Sequence, residues 1–131
     1  MYSMKDTCQK VGLSYQTLKF YCNEGLVPHL KRDSNNYRVF DDKDVDWIMN
    51  LICLKRCGMS IENMKVYVDL IAKGDPSMEQ RREMLVKQKE DLMKEQELLN
   101  ANLSYIDKKL KYYDDHLKNG VYKVLDNMYD L

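Results

Sequence analysis

Apolar residues recur at helical spacing along most of the chain, and Gly12, Gly25, Pro28, Gly58, Gly74, Pro76 and Gly120 cut that pattern into pieces. The first predicted helix runs from Ser3 to Val11. Ser3 is its cap and Asp6 the reciprocal partner, with Met4, Cys8 and Val11 on one face. Gly12 ends it, because glycine takes a left-handed position without steric cost. Ser14 then caps a second helix, with Leu13 and Leu18 placed as a hydrophobic staple. Two short helices joined by a tight glycine turn predict a helix-turn-helix.

In the second helix Leu18 and Tyr21 (or Cys22) face the core, and Gly25 closes it. Tyr15, Gln16 and Lys19 fall on the opposite face near the N-terminal end, where side chains can reach base edges or phosphates. The same residue types also make an ordinary solvated face. From Leu26 to Phe40 the turn residues Asn35-Asn36 and the alternating Tyr37-Arg38-Val39-Phe40 predict a two-stranded wing. A third helix begins near Asp41 or Asp42, with Val45, Ile48 and Ile52 as its core stripe and Trp47, Leu51 and Leu54 beside it. Lys55 and Arg56 suit its last turn and Gly58 ends it. Ser60 caps a fourth helix, stapled by Met59 and Met64, that ends before Gly74.

Asp75-Pro76 predicts the opening of a fifth helix, Asp as cap and Pro at the first helical position. No breaker follows until about Asn119. Met78, Leu85, Leu92, Leu99, Ile106 and Tyr113 recur as heptads; Leu103, Leu110 and Leu117 fill the alternate seam late, and Arg82, Lys89 and Gln96 occupy it early. About 43 residues make a rod of roughly 65 Å. Such a stripe needs a partner helix, most simply from a second copy of the chain. The predicted division is a DNA-binding domain with linker helices over residues 1–74, a dimerisation helix over 75–119 and a short tail over 120–131.

Composition narrows the function. The 131 residues hold 21 Lys+Arg and 21 Asp+Glu, so the chain is no overall polycation. Through residue 40, Lys5, Lys10, Lys19, Lys31, Arg32 and Arg38 face only Asp6, Glu24 and Asp33, a local excess of three positive charges where a nucleic-acid face would need it. No run matches a membrane span, and the N-terminus has no signal-peptide core, so a cytoplasmic setting with reduced thiols is expected for the four cysteines. Two isolated histidines, His29 and His116, with no phosphate-cradling glycine loop and no nucleophile elbow, recommend neither an enzyme nor a cofactor. Cys53 and Cys57 supply two ligands at i, i+4, too few for a metal site. Tyr105, Tyr112 and Tyr113 could line a small-molecule site or simply pack, and Cys8 and Cys22 read as core filler.

Three segments resemble the MerR family of bacterial transcriptional regulators. Gly12-Leu13-Ser14-Tyr15-Gln16-Thr17-Leu18-Lys19-Phe20-Tyr21 resembles its G-V-S-x-x-T-L-R-Y-Y helix. Asn35-Asn36-Tyr37-Arg38-Val39-Phe40 resembles its wing, and Leu54-Lys55-Arg56-Cys57-Gly58-Met59-Ser60-Ile61 its hinge between the third and fourth helices. The resemblance implies an all-α fold with a small β wing: a winged helix-turn-helix followed by a long helix that forms an antiparallel coiled-coil homodimer. It implies binding to double-stranded promoter DNA with an overlong spacer, which is untwisted on effector binding so that RNA polymerase can use it. Carried onto this chain, Tyr15, Gln16 and Lys19 read or flank bases, while Thr17, Phe20, Tyr21, Tyr37 and Arg38 hold the DNA backbone. Lys19 stands where the family has Arg, Phe20 where it has Tyr, and Asn36 where the wing has Gly.

Within the family, Trp47-Ile48, Cys53, Gly58, Gly74-Asp75 and Arg81 or Arg82 resemble the short aldehyde- and electrophile-responsive regulators, in which a cysteine at the place of Cys53 is the proposed sensor. Arg56, three residues on, would favour a thiolate, whereas the C-terminal half of a helix opposes one. The bland alternative is a small apolar residue in a helix interface. For the whole chain, a coiled-coil interaction module without DNA binding is the alternative reading, with a small enzyme behind it.

Overall fold

The computed structural model describes residues 1–120; the rest of the predicted tail, 121–131, lies outside the described residues. Contacts divide the chain into two units, Met1–Leu92 and a second beginning at Met93.

In the first unit, α1 (Met4–Val11) is capped by Ser3, whose hydroxyl accepts the Asp6 N–H at 3.1 Å, and ends at Gly12 with φ 76°. The α1 face is less apolar than predicted. Thr7 is fully buried, and its Oγ1 donates to the Ser3 carbonyl at 2.7 Å, which satisfies the hydroxyl inside the helix. Ser14 caps α2 (Tyr15–Asn23), accepting from the Thr17 N–H. Gly25, at φ 74°, turns the chain out so that the Leu26 N–H donates back to the Tyr21 carbonyl.

The wing pairs β1 (Lys31–Arg32) with β2 (Arg38–Val39) antiparallel, Lys31 opposite Val39 and Arg32 opposite Arg38. Its turn is held by Asp33, whose carboxylate accepts the N–H groups of Asn35 and Tyr37, and Asn36 takes the positive φ of 65° expected of it. Tyr2 and Phe40 exchange backbone hydrogen bonds at 2.7 and 2.9 Å, which ties the N-terminus to the wing.

A reciprocal Asp41–Asp44 capping box starts α3 (Asp42–Arg56), and Ser60 caps α4 (Ile61–Ala72). Ile48, Leu51 and Ile52 bury against Leu18, Leu26, Phe40, Met59 and Met64, while Val45, predicted for the stripe, packs at the edge. Trp47 Nε1 donates to the Leu26 carbonyl at 2.7 Å, joining α3 to the segment after α2.

The opening of the fifth helix differs from expectation. Asp75–Ser77 is a single 3-10 turn, Gly74 takes the cap position with no side-chain cap bond, and Asp75 caps nothing there. Buried Ser77 supplies the anchor: its hydroxyl contacts the carbonyls of Leu70 and Gly74, pinning the turn to the end of α4. From there α5 spans Met78–Asn119. Within the first unit, Gln88 Nε2 donates to the Cys57 carbonyl at 2.7 Å.

The described part of the second unit is residues 93–120, helical through Asn119, with no buried residue. Leu99, Leu103, Ile106, Leu110 and Leu117 are each more than half exposed. A face this apolar is left unburied by a single chain.

Candidate nucleic-acid interface

The reading face predicted on α2 forms as periodicity requires. Leu18 and Tyr21 turn into the core at 0% and 4% exposure, and Tyr15, Gln16 and Lys19 stand exposed on the other side. Phe20 is exposed, Thr17 half-buried, and Tyr37 stands 69% exposed at the wing turn. Tyr21 was expected both in the core and at the DNA backbone; its ring belongs to the core, where burial pushes the phenol's pKa up.

Arg38 is half-buried and reaches across to the end of α2, Nη2 donating to Asn23 Oδ1 at 2.6 Å. Asn23 did not emerge from the sequence reading. The signal available was weak: α2 has no basic residue in its last turn, so a cation from elsewhere is favourable there.

Electrostatics revises the charge count in two compensating ways. Lys31 is paired with Asp41 at 2.6 Å, and Glu24 is paired with Lys65 from α4. One cation and one anion are thereby matched from outside the segment, so the excess of three among the remaining charges is unchanged. The Lys31 ammonium, aided by the Asp44 N–H, holds the Asp41 carboxyl down at about 2.

The cysteines separate by environment. Cys8 and Cys22 are half-buried, and burial pushes both thiols up, although Arg38 and Arg32 oppose the shift at Cys22. Cys53 is exposed. It opens onto a cavity of about 340 Å³ lined by Trp47, Asn50, Leu54, Tyr67, Ile71 and Leu85. A second cavity, of about 620 Å³, shares Trp47, Val68 and Ile71 with the first and is also bounded by Pro28, His29, Lys43 and Ala72. His29 is exposed and His116 half-buried. On α5, Tyr112 packs edge-on against Tyr113 at 5.6 Å, and Lys109 sits 5.5 Å from the Tyr105 ring.

These elements define a winged helix-turn-helix protein whose chain continues into a long helix. The chain belongs to the MerR HTH family of regulatory proteins, whose sequence profile matches residues 2–70. An HTH-type transcriptional regulator of Haemophilus influenzae is 38% identical over 87 residues, 66% of this chain and 64% of that protein. The HTH-type transcriptional regulator AdhR of Bacillus subtilis is 31% identical over 87 residues, 66% of this chain and 62% of AdhR. The match thus spans a little under two thirds of either relative's length. Among solved structures, HiNmlR, a MerR family regulator lacking the sensor domain and bound to promoter DNA, is 33% identical with a TM-score of 0.78, over 91% of this chain and 94% of that one. A MerR family regulator from Listeria monocytogenes is 31% identical with a TM-score of 0.83, over 92% and 91%. Among the described residues no helix is long and apolar enough to cross a membrane.

Proposed function

We propose that this chain is a dimeric transcriptional regulator that binds double-stranded promoter DNA through α2 and the wing. One observation carries the reading. Tyr15, Phe20 and Tyr37 expose 56%, 44% and 69% of their surface on these two elements, with Gln16 and Lys19 between them, although the core beneath is closed. Large rings held in water around uncompensated cations suit a polyanion with flat bases. The promoter DNA held by HiNmlR supports the same reading.

In this account Gln16, with Tyr15 and Lys19, meets base edges, and Thr17, Phe20, Tyr37 and Arg38 meet the backbone. Residues 1–74 form the DNA-binding part. Residues 75–119 zip two copies as an antiparallel coiled coil that covers the α5 seam. Untwisting of the bound promoter then serves RNA polymerase indirectly, and the site of action is the cytoplasm.

Binding is tested by anisotropy on a duplex that the wild-type protein selects from a random pool. Affinity should fall steeply with salt as phosphate contacts release counterions. Gln16→Ala should change base preference, whereas Arg38→Ala should weaken all sequences alike. Absence of duplex binding even at low salt would overturn this reading in favour of the coiled-coil interaction module.

The effector reading is an electrophile that modifies Cys53, as in the short aldehyde-responsive branch. The exposed thiol at the edge of a largely apolar cavity supports it. With an aldehyde, sulfur adds to the carbonyl carbon, the C=O π bond becomes an O–H bond, and the thiol proton ends on that oxygen, with no oxidant needed. Transcription from the target promoter should respond to aldehyde in wild type and not in Cys53→Ser; an equal response in both removes Cys53 from the mechanism.

A further inference from the structure

The wing and the recognition helix are separate in sequence, and a side-chain hydrogen bond joins them directly. Arg38 Nη2 donates to Asn23 Oδ1, fifteen residues earlier, at 2.6 Å. The same guanidinium buries its Nε with no hydrogen-bond partner. An unpaired buried N–H is costly, and a surface arginine free to swing would expose it to water. Arg38 does not swing out, so the outer contact with Asn23 and the packing around the stem hold it. The C-terminal carbonyl end of α2, which lacks a cation of its own, adds a further attraction.

The acceptor is an amide, and that matters chemically. A carboxylate at this place would neutralise the guanidinium in a salt bridge. The amide orients it and leaves its full positive charge outward. Nη1 has no protein partner among the described residues, which leaves it for a phosphate oxygen.

We propose that Asn23 is a positioning residue for DNA binding: it locks Arg38 between the end of α2 and β2, so that helix and wing meet the duplex backbone at one fixed spacing. The proposal rests on the DNA-binding reading above and deepens it. Asn23 touches no DNA in this account and acts through Arg38.

The test uses the full chain, the duplex selected by wild type from a random pool, and a scrambled duplex. Asn23→Ala should raise Kd about five-fold on both duplexes and make the salt slope shallower by about one phosphate's worth, roughly 0.9 in log–log units. In an Arg38→Ala background the same substitution should cost nothing further. Asn23→Asp should keep the thermal midpoint yet show the same shallower slope, because the charge is spent inside the protein. A purely structural role would lower the midpoint and leave the slope alone. An Asn23→Ala protein with Kd within two-fold of wild type and an unchanged slope, or losses that add in the double variant, would overturn the proposal. Failure of wild type itself to bind at low salt would instead sink the DNA-binding reading.

Discussion

Trp47→Phe is the most informative single perturbation of the reading head. The indole N–H is the one donor to the Leu26 carbonyl among the described residues, and Leu26 is fully buried. Phenylalanine cannot donate, and a buried carbonyl left unpaired costs about 1–3 kcal/mol. The smaller ring also gives up packing against the core, adding about 1 kcal/mol. The expected loss is therefore about 2–4 kcal/mol, a drop in thermal midpoint on the order of 10–20 °C for a domain of this size. The chain has one tryptophan, so the variant must be followed by far-UV circular dichroism. Because a dimer's stability depends on concentration, wild type and variant must be compared at equal concentration. A benzothiophene analogue of tryptophan keeps the volume and removes only the N–H; it should cost about 1–3 kcal/mol by itself. A loss below about 0.5 kcal/mol for Trp47→Phe would refute the claim that the Leu26 carbonyl depends on this bond.

Two further outcomes follow from contacts elsewhere. Asp41 is held at about 2, against an ordinary 3.8, by Lys31 and by the Asp44 N–H. A carboxylate with a lowered folded-state value adds stability above the unfolded value and loses it as pH falls through the folded one. Asp41→Asn keeps a capping acceptor and should be less stable than wild type at about pH 7, with the difference fading between about pH 4 and pH 2 in urea titrations; a pH-independent difference would contradict the pairing. In the second unit, Leu103→Glu removes one seam contact from each of two chains. At about 1.5–3 kcal/mol per leucine, the proposed dimer should dissociate about 10²- to 10⁴-fold more readily by sedimentation. A solution mass that stays dimeric at sub-micromolar concentration would argue against that seam.

What could be read from the residues was whatever a short stretch of chain decides for itself. Ser3, Ser14 and Ser60 cap the helices expected of them, and Asn36 takes its left-handed turn, because cap and turn energetics act within a few residues. Spacing also placed Tyr15, Gln16 and Lys19 outside and Leu18 inside. The misses share one cause. Ser77 anchors a 3-10 turn because the Leu70 carbonyl lies within reach, and nothing in Asp75-Pro76 announces that partner. Thr7 enters the core because Ser3 satisfies its hydroxyl. Lys65 and Asn23 carry charge and geometry to the reading head from residues whose partners lie on other elements.

The same tertiary bonds bear on how an effector could reach the DNA face. Trp47 lines the cavity at Cys53 and also the larger cavity bounded by Pro28 and His29. Its N–H holds the carbonyl of Leu26, which leads from α2 toward β1. Packed interiors respond to added volume by moving neighbours as units rather than by yielding locally. On the proposed function, an adduct on Cys53 that outgrows this cavity would press on its walls, and a shift of the indole would strain its bond to Leu26. The connector thus loosened is the segment that sets α2 against the wing, the two elements that Arg38 and Asn23 also bridge. On the proposed function, coupling between Cys53 and the two DNA-facing elements would run through this one anchored ring.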